Sequence, residues 1–139
     1  MDTAIASPAR PRTVHHPLPS GPQAAGEARR TAARTLALHP VRCPQEAACD
    51  ILLIASELAT NAVRHALPPY ALTISLDSGR AGICVSDGSL SLPQRGDGHG
   101  ALTTRGRGLQ IVRALGADLF VSRSPRGKQV IAVITWRDS

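Results

Sequence analysis

Glu57, Asn61 and His65 recur at four-residue steps in the stretch SELATNAVRHA, Ser56 to Ala66. Four residues turn an α-helix through about 400°, so each of these side chains lies only about 40° round from the one before it. The stripe flanks the apolar positions of the helix rather than opposing them, which suits the margin of a cleft. An asparagine carbonyl is a good ligand for a hard cation. Mg²⁺ takes only one or two protein oxygens and completes its shell with water and substrate phosphates. A glutamate one turn earlier has the reach to accept a proton from an attacking hydroxyl or water. The same residues also suit an ordinary surface, with Arg64 completing a charge pair.

Two further stretches carry chemistry. In ICVSDGS, Asp87 closes an alternating apolar run, where a carboxylate can accept a hydrogen bond from an exocyclic amine such as that of adenine. Asp-Gly is also a favoured hairpin turn, but a long polar loop follows instead of a strand. In TTRGRGLQIV, glycines run into a helix. Gly106 and Gly108 let backbone approach a ligand closely, and a new helix aims free N–H groups and its positive dipole end at an anion. Arg105 and Arg107 add cations for terminal phosphate oxygens. The RGKQ run near the end is not a phosphate-binding Walker A loop, because it lacks the glycine spacing and a Ser or Thr after Lys128.

The elements that must position these residues are legible. Residues 24–38, AAGEARRTAARTLAL, have helical spacing through Ala28, Ala32 and Leu36. Pro40 and Pro44 break the chain. A long helix is expected from Gln45 to Ala66, with Ile51, Ile54, Ala55, Leu58 and Ala62 on its core face and LPP as its stop. YALTISLD and AGICVSD alternate as two strands of a hairpin. A short helix, LQIVRALG, stops at Gly116, and DLFVSR and QVIAVITW form a last hairpin around SPRGK. The order helix, helix, hairpin, loop, helix, hairpin predicts an α/β two-layer sandwich, a mixed or antiparallel sheet with helices on one face. Residues 1–22, rich in Pro, Ala and Arg, read as a disordered or loosely attached basic arm that includes His15 and His16, and 23–139 as the folded domain.

At 139 residues the chain suits one domain, and its 42% hydrophobic content supports a core without staples. A net charge of +6 permits attraction to nucleic acid, anionic lipid, acidic proteins or nucleotide phosphates. Aromatics are only 2%, which disfavours nucleic-acid binding by base stacking. Cys43, Cys49 and Cys84 are odd in number and form no CxxC pair, the pattern of a reduced, cytoplasmic chain. No secretory signal and no apolar run long enough to span a membrane is expected.

The order acid–amide helix, strand ending in Asp, glycine-rich loop and helix resembles the GHKL superfamily of ATP-binding folds, which includes gyrase B, histidine kinases and the anti-sigma factor serine kinases. ELATNAVRHA looks like its N box, DG at Asp87 and Gly88 like the start of its G1 box, and GRGL, through Leu109, like its G2 box at the end of the ATP lid. The resemblance runs from about Ala28 to Trp136 and implies the Bergerat-type ATP-binding fold. It also implies that Glu57 is the general base, that Asn61 holds Mg²⁺ beside ATP, and that Asp87 reads the adenine amine. Gly88, Gly106 and Gly108 would shape the pocket, with Arg105 or Arg107 at the terminal phosphate.

Within the superfamily, a lone small domain is most similar to the anti-sigma factor kinases related to SpoIIAB and RsbW, of the short actinobacterial regulator type. That resemblance implies a Ser/Thr protein kinase that sequesters a sigma factor and phosphorylates a STAS-fold antagonist; members of the group often form homodimers. The alternative is a nucleotide-binding or degenerate module that only sequesters a partner. The departures are Ser89 and Ser91, where the G1 box has glycines, and Lys128, where a hydroxyl residue is common after the glycine that opens the last hairpin.

Overall fold

Apolar residues at every second position turn two stretches into antiparallel strands, β2 (Tyr70–Asp77) and β3 (Arg80–Asp87). Their buried faces are Tyr70, Leu72, Ile74 and Leu76 on one strand and Ala81, Ile83 and Val85 on the other. The computed structural model describes residues 12–39, 43–89 and 106–137, with 106–108 described by backbone alone. The remaining described elements are β1 (Arg12–Leu18), α1 (Gln23–Leu38), α2 (Gln45–His65), α3 (Gly106–Ala114), β4 (Asp118–Ser124) and β5 (Gly127–Thr135). The strands form a five-stranded sheet in the order β1-β2-β3-β5-β4, every described pair antiparallel. Helices cover one face, as expected of the α/β sandwich, and α2 packs on α1, on α3 and on the three central strands.

Helix α2 carries the structure because its core face is continuous. Ile51, Ile54, Ala55 and Leu58 are at most 1% exposed, and full burial of each Ile or Leu is worth about 1.5–3 kcal/mol. Glu46 lies in the first turn, and Arg64 and His65 in the last, each sign favourable to the helix dipole. The chain leaves the helix at Ala66, whose backbone is extended. The Tyr70 hydroxyl donates to the Ala66 carbonyl at 2.7 Å, tying the start of β2 to the end of α2. Helix α1 buries Ala24, Ala28 and Ala32 at four-residue spacing. Such small side chains let two helices approach closely.

The N-terminal boundary differs from the sequence expectation. Residues 12–18 are not part of a loose arm but an edge strand, β1, in register with β2 from Arg12 opposite Leu76 to Leu18 opposite Tyr70. Its inward positions are Val14, His16 and Leu18, a period-two pattern masked by the histidine. Pro17 is tolerated because an edge strand has one partner only. His15 and His16 point to opposite faces of the strand and share no site. His15 Nδ1 is hydrogen-bonded to Thr73 Oγ1 at 2.9 Å, and His16 Nε2 lies 2.8 Å from Glu27 Oε2 on α1. Hydrogen bonds from Arg30 and then His16 hold the Glu27 carboxyl below the usual range. Residues 1–11 of the expected arm lie outside the described residues.

The cysteines are free in the structure, as an odd count without a CxxC pair implies. Cys49 is exposed on α2, whereas burial within the sheet pushes the Cys84 thiol up to about 11. The thiolate is the reactive form, so at pH 8 only about one Cys84 in a thousand is reactive. Limited alkylation at pH 8 followed by peptide mass spectrometry is expected to label Cys49 first and Cys84 at least about tenfold more slowly. Equal rates would contradict this placement of Cys84.

Candidate functional site

Glu57 and Asn61 lie one turn apart on α2, both half-buried. They flank Leu58, which is 1% exposed. Seven residues turn a helix through about 700°, only about 20° short of two full turns. Asp50 therefore shares their flank of α2. Asp50 lines a cavity of about 430 Å³ together with Leu115 and Gly116 at the end of α3 and Trp136 after β5. The flank that carries Glu57 and Asn61 thus continues from the Asp50 end of α2, beside the end of α3, toward Arg64, which lines a second cavity with Ala24 and Ala25 of α1. Neither side chain makes a hydrogen bond or ion pair with a described residue, and Arg64 does not complete a charge pair with Glu57. His65, the third member of the stripe, is exposed to solvent.

Asp87 is the only buried carboxylate among the described residues, at 6% exposure. It ends β3 on the helix-side face, where three backbone segments meet. The Gly88 N–H donates to the Leu67 carbonyl at 2.7 Å. The Leu67 N–H in turn donates to Ser89 Oγ at 3.0 Å. The Ser89 N–H closes back on Asp87 Oδ1 at 2.8 Å. Ser89, a departure from the expected glycine, is therefore a structural link that ties the end of β3 to the exit of α2.

Two glycines make this meeting possible. A Cβ on Gly88 would collide with the Pro68 carbonyl oxygen. A Cβ on Gly127 would collide with the Asp87 carbonyl oxygen, and Gly127 has a φ of +146° that disfavours any side chain. The close approach brings Lys128, the next residue, directly opposite Asp87 in the β3–β5 register. Lys128 Nζ stands 3.6 Å from Asp87 Oδ2, with the two side chains only 13% and 2% exposed. Nearby Tyr70 senses this centre: burial, and then the charge of Asp87, push its hydroxyl above the usual range.

The glycine-rich stretch is placed in part. Gly106, Arg107 and Gly108 form the first turn of α3, so the helix begins three residues earlier than LQIVRALG suggests. First-turn N–H groups have no intrahelical partner in any case, so glycines enter there without losing bonds. Leu109 is 3% exposed and anchors the turn to the core. The Arg107 side chain, Arg105 and Ser91 lie outside the described residues.

Sequence reasoning left two parts of the centre unread. In the sequence Leu67 and Pro68 read as a helix stop only, and Gly127 only as the glycine that opens the last hairpin, without its contact to Asp87. Both matter through contacts between segments distant in sequence. The available signal was the glycine immediately before a lysine in the strand that pairs with Asp87.

No group of three or more His, Cys, Asp or Glu able to hold a metal ion occurs among the described residues. That does not exclude Asn61 as a Mg²⁺ position, since the ion needs as few as one protein oxygen. The half-buried amide of Asn61, without a described partner and one turn from a carboxylate, fits that requirement.

Residues 18–134 match the family described as histidine kinase-like ATPase domain. Among solved structures, the chain is similar to the histidine kinase domain of a blue-light activated histidine kinase from Erythrobacter litoralis. The identity is 26% and the TM-score 0.54, covering 80% of this chain and 58% of that one. It also shares its fold with the histidine kinase AdeS of Acinetobacter baumannii, at 18% identity and a TM-score of 0.52, covering 91% of this chain and 70% of that one. The chain thus spans little more than half the length of the first of these. No curated protein matches it. No described helix is long and apolar enough to cross a membrane.

Proposed function

The chain belongs to the histidine kinase-like ATPase domain family, and from that premise we propose that it is a cytoplasmic anti-sigma factor Ser/Thr kinase. Its substrate would be a STAS-fold antagonist, and its other partner a sigma factor that it sequesters. The observation that carries the reading is the pair Glu57 and Asn61, one turn apart, half-buried and without described partners. Polar side chains held at a core margin with nothing to bind are suited to a ligand. Burial of Asp87 at the end of β3 supports a role in reading the adenine amine.

In this mechanism Asn61 would hold Mg²⁺, which would supply charge neutralisation at the phosphates. Glu57 takes the proton of the antagonist's hydroxyl as that oxygen bonds to the γ-phosphorus. The bond from the γ-phosphorus to ADP breaks, and ADP leaves. Asp87 orients the base. Gly106 and Gly108, in the first turn of α3, offer free N–H groups to phosphate oxygens, and Arg105 or Arg107 meets the terminal phosphate.

The two solved structures named above are of histidine kinases, so the acceptor residue is the point to test. The full chain, γ-labelled ATP, Mg²⁺ and a STAS-fold antagonist are expected to give label on the antagonist that survives acid, as a Ser or Thr phosphoester does. Acid-labile label, the behaviour of phosphohistidine, would overturn the Ser/Thr assignment.

A second reading is a module that binds a partner and transfers nothing. The observation favouring it is that Asp87 is already engaged at both oxygens, by the Ser89 N–H and by Lys128. Sigma-factor binding with no label transferred to any antagonist would select it.

A further inference from the structure

We propose that β4 is the edge through which two copies of this chain pair, antiparallel about a twofold axis at Phe120, joining their five-stranded sheets into one.

The two ends of the sheet differ in a way that bears on this. Among the described strands, β1 and β4 are the edges, and an edge strand keeps unpaired N–H and C=O groups on its open side. Edge β1 is blunted against further pairing, because its Pro17 has no N–H to offer. Edge β4 contains neither proline nor lysine, and Leu-Phe-Val-Ser runs between Asp118 and Arg123. Phe120 is the one phenylalanine of the chain. It is 54% exposed on the outer face of the sheet. Leu119 and Val121 alternate with it on the helix side, partly buried against the core. An edge that is apolar on both faces is where another strand adds.

The order of residues in β4 selects a second copy as that strand. A twofold axis normal to the sheet keeps outer side chains opposite outer ones, as directly paired residues of an antiparallel ladder require. An axis at Phe120 sets Phe120 against Phe120 on the outer face and Leu119 against Val121 on the other, with Asp118 opposite Ser122. No like charges meet, and both central pairs are apolar. The neighbouring registers are poorer. An axis at Leu119 sets Phe120 against Asp118, and one at Val121 sets Leu119 against Arg123. Because the axis is normal to the sheet, both helical layers lie on the same side of the joined sheet, and with them both Glu57–Asn61 pairs. One strand per copy makes a small interface, so the pairing depends on concentration.

Sedimentation equilibrium of the full chain, from micromolar to near-millimolar concentration, is expected to show monomer and dimer in exchange. Phe120→Lys places two ammonium groups at the axis and should weaken pairing roughly tenfold or more. Two cysteine variants, each carrying Cys49→Ser to remove the exposed native thiol, test the register against Cys49→Ser alone. Phe120→Cys is expected to give a disulfide-linked dimer on mild oxidation, since directly opposed residues hold their Cβ atoms about 4.5–5.5 Å apart. Ser122→Cys should not link, because it lies about 14 Å from its twofold mate. In the wild type, alternate amides of β4 should exchange with solvent more slowly as concentration rises. This last measurement stands even where a variant fails to fold.

A monomer throughout the range would overturn the proposal. So would a dimer that Phe120→Lys leaves intact, or one that links through Ser122→Cys and not Phe120→Cys. A dimer that forms without added protection in β4, as when two sheets meet face to face, would overturn it as well.

Discussion

Replacing Glu57 by alanine is expected to lower phosphate transfer to the antagonist by about 10²–10⁴-fold, the usual cost of removing a general base. ATP affinity should stay within about twofold of the wild type, because the base touches the attacking hydroxyl and not the nucleotide. Folding should survive as well, since Glu57 is half-buried and makes no described hydrogen bond or ion pair. The measurement is label incorporation into the antagonist beside an ATP titration of the same variant. Transfer at the wild-type rate would remove Glu57 from the chemistry. A parallel fall in affinity and transfer would make it a binding residue instead.

The companion variant, Asn61→Ala, should act on the metal. In the wild type Mg²⁺ is expected to tighten ATP binding, and in Asn61→Ala that gain disappears. Loss of groups that only support a metal ligand costs roughly 10–100-fold in metal affinity, and loss of the ligand itself should cost no less. Binding of ATP without Mg²⁺ should change little. Calorimetry with and without the ion separates the two. An undiminished Mg²⁺ effect in the variant would place the ion elsewhere.

The two variants probe a candidate site whose supporting elements were legible in sequence for a physical reason. The bounds of α2, β2 and β3 follow from local signals: proline stops, period-two alternation and a continuous Ile/Leu stripe. Glu57 and Asn61 could be assigned to one flank because helical geometry fixes neighbours within a turn. Strand β1 escaped notice because His16 sits at an inward position and only Val14 and Leu18 mark the alternation. Its strand state depends on pairing with β2, more than fifty residues away in sequence.

The Asp87 centre was half legible for the same reason. That Asp87 ends a buried strand is a local inference. That Lys128 faces it, that Gly127 must lack a side chain, and that Ser89 bridges to Leu67 are all contacts between distant segments. Ser89 stands where the G1 box has a glycine. In the structure its hydroxyl accepts the Leu67 N–H and its own N–H is donated to Asp87. A substitution at a motif position can therefore be absorbed by the surrounding backbone, and its cost is measurable only at the ligand.

The central claim is that this site binds ATP with Mg²⁺. A calorimetric titration of the full wild-type chain with ATP, run with Mg²⁺ and again with a chelator, tests it most directly. The account predicts saturable one-site binding that tightens when Mg²⁺ is present. The absence of binding at millimolar ATP under both conditions would contradict it.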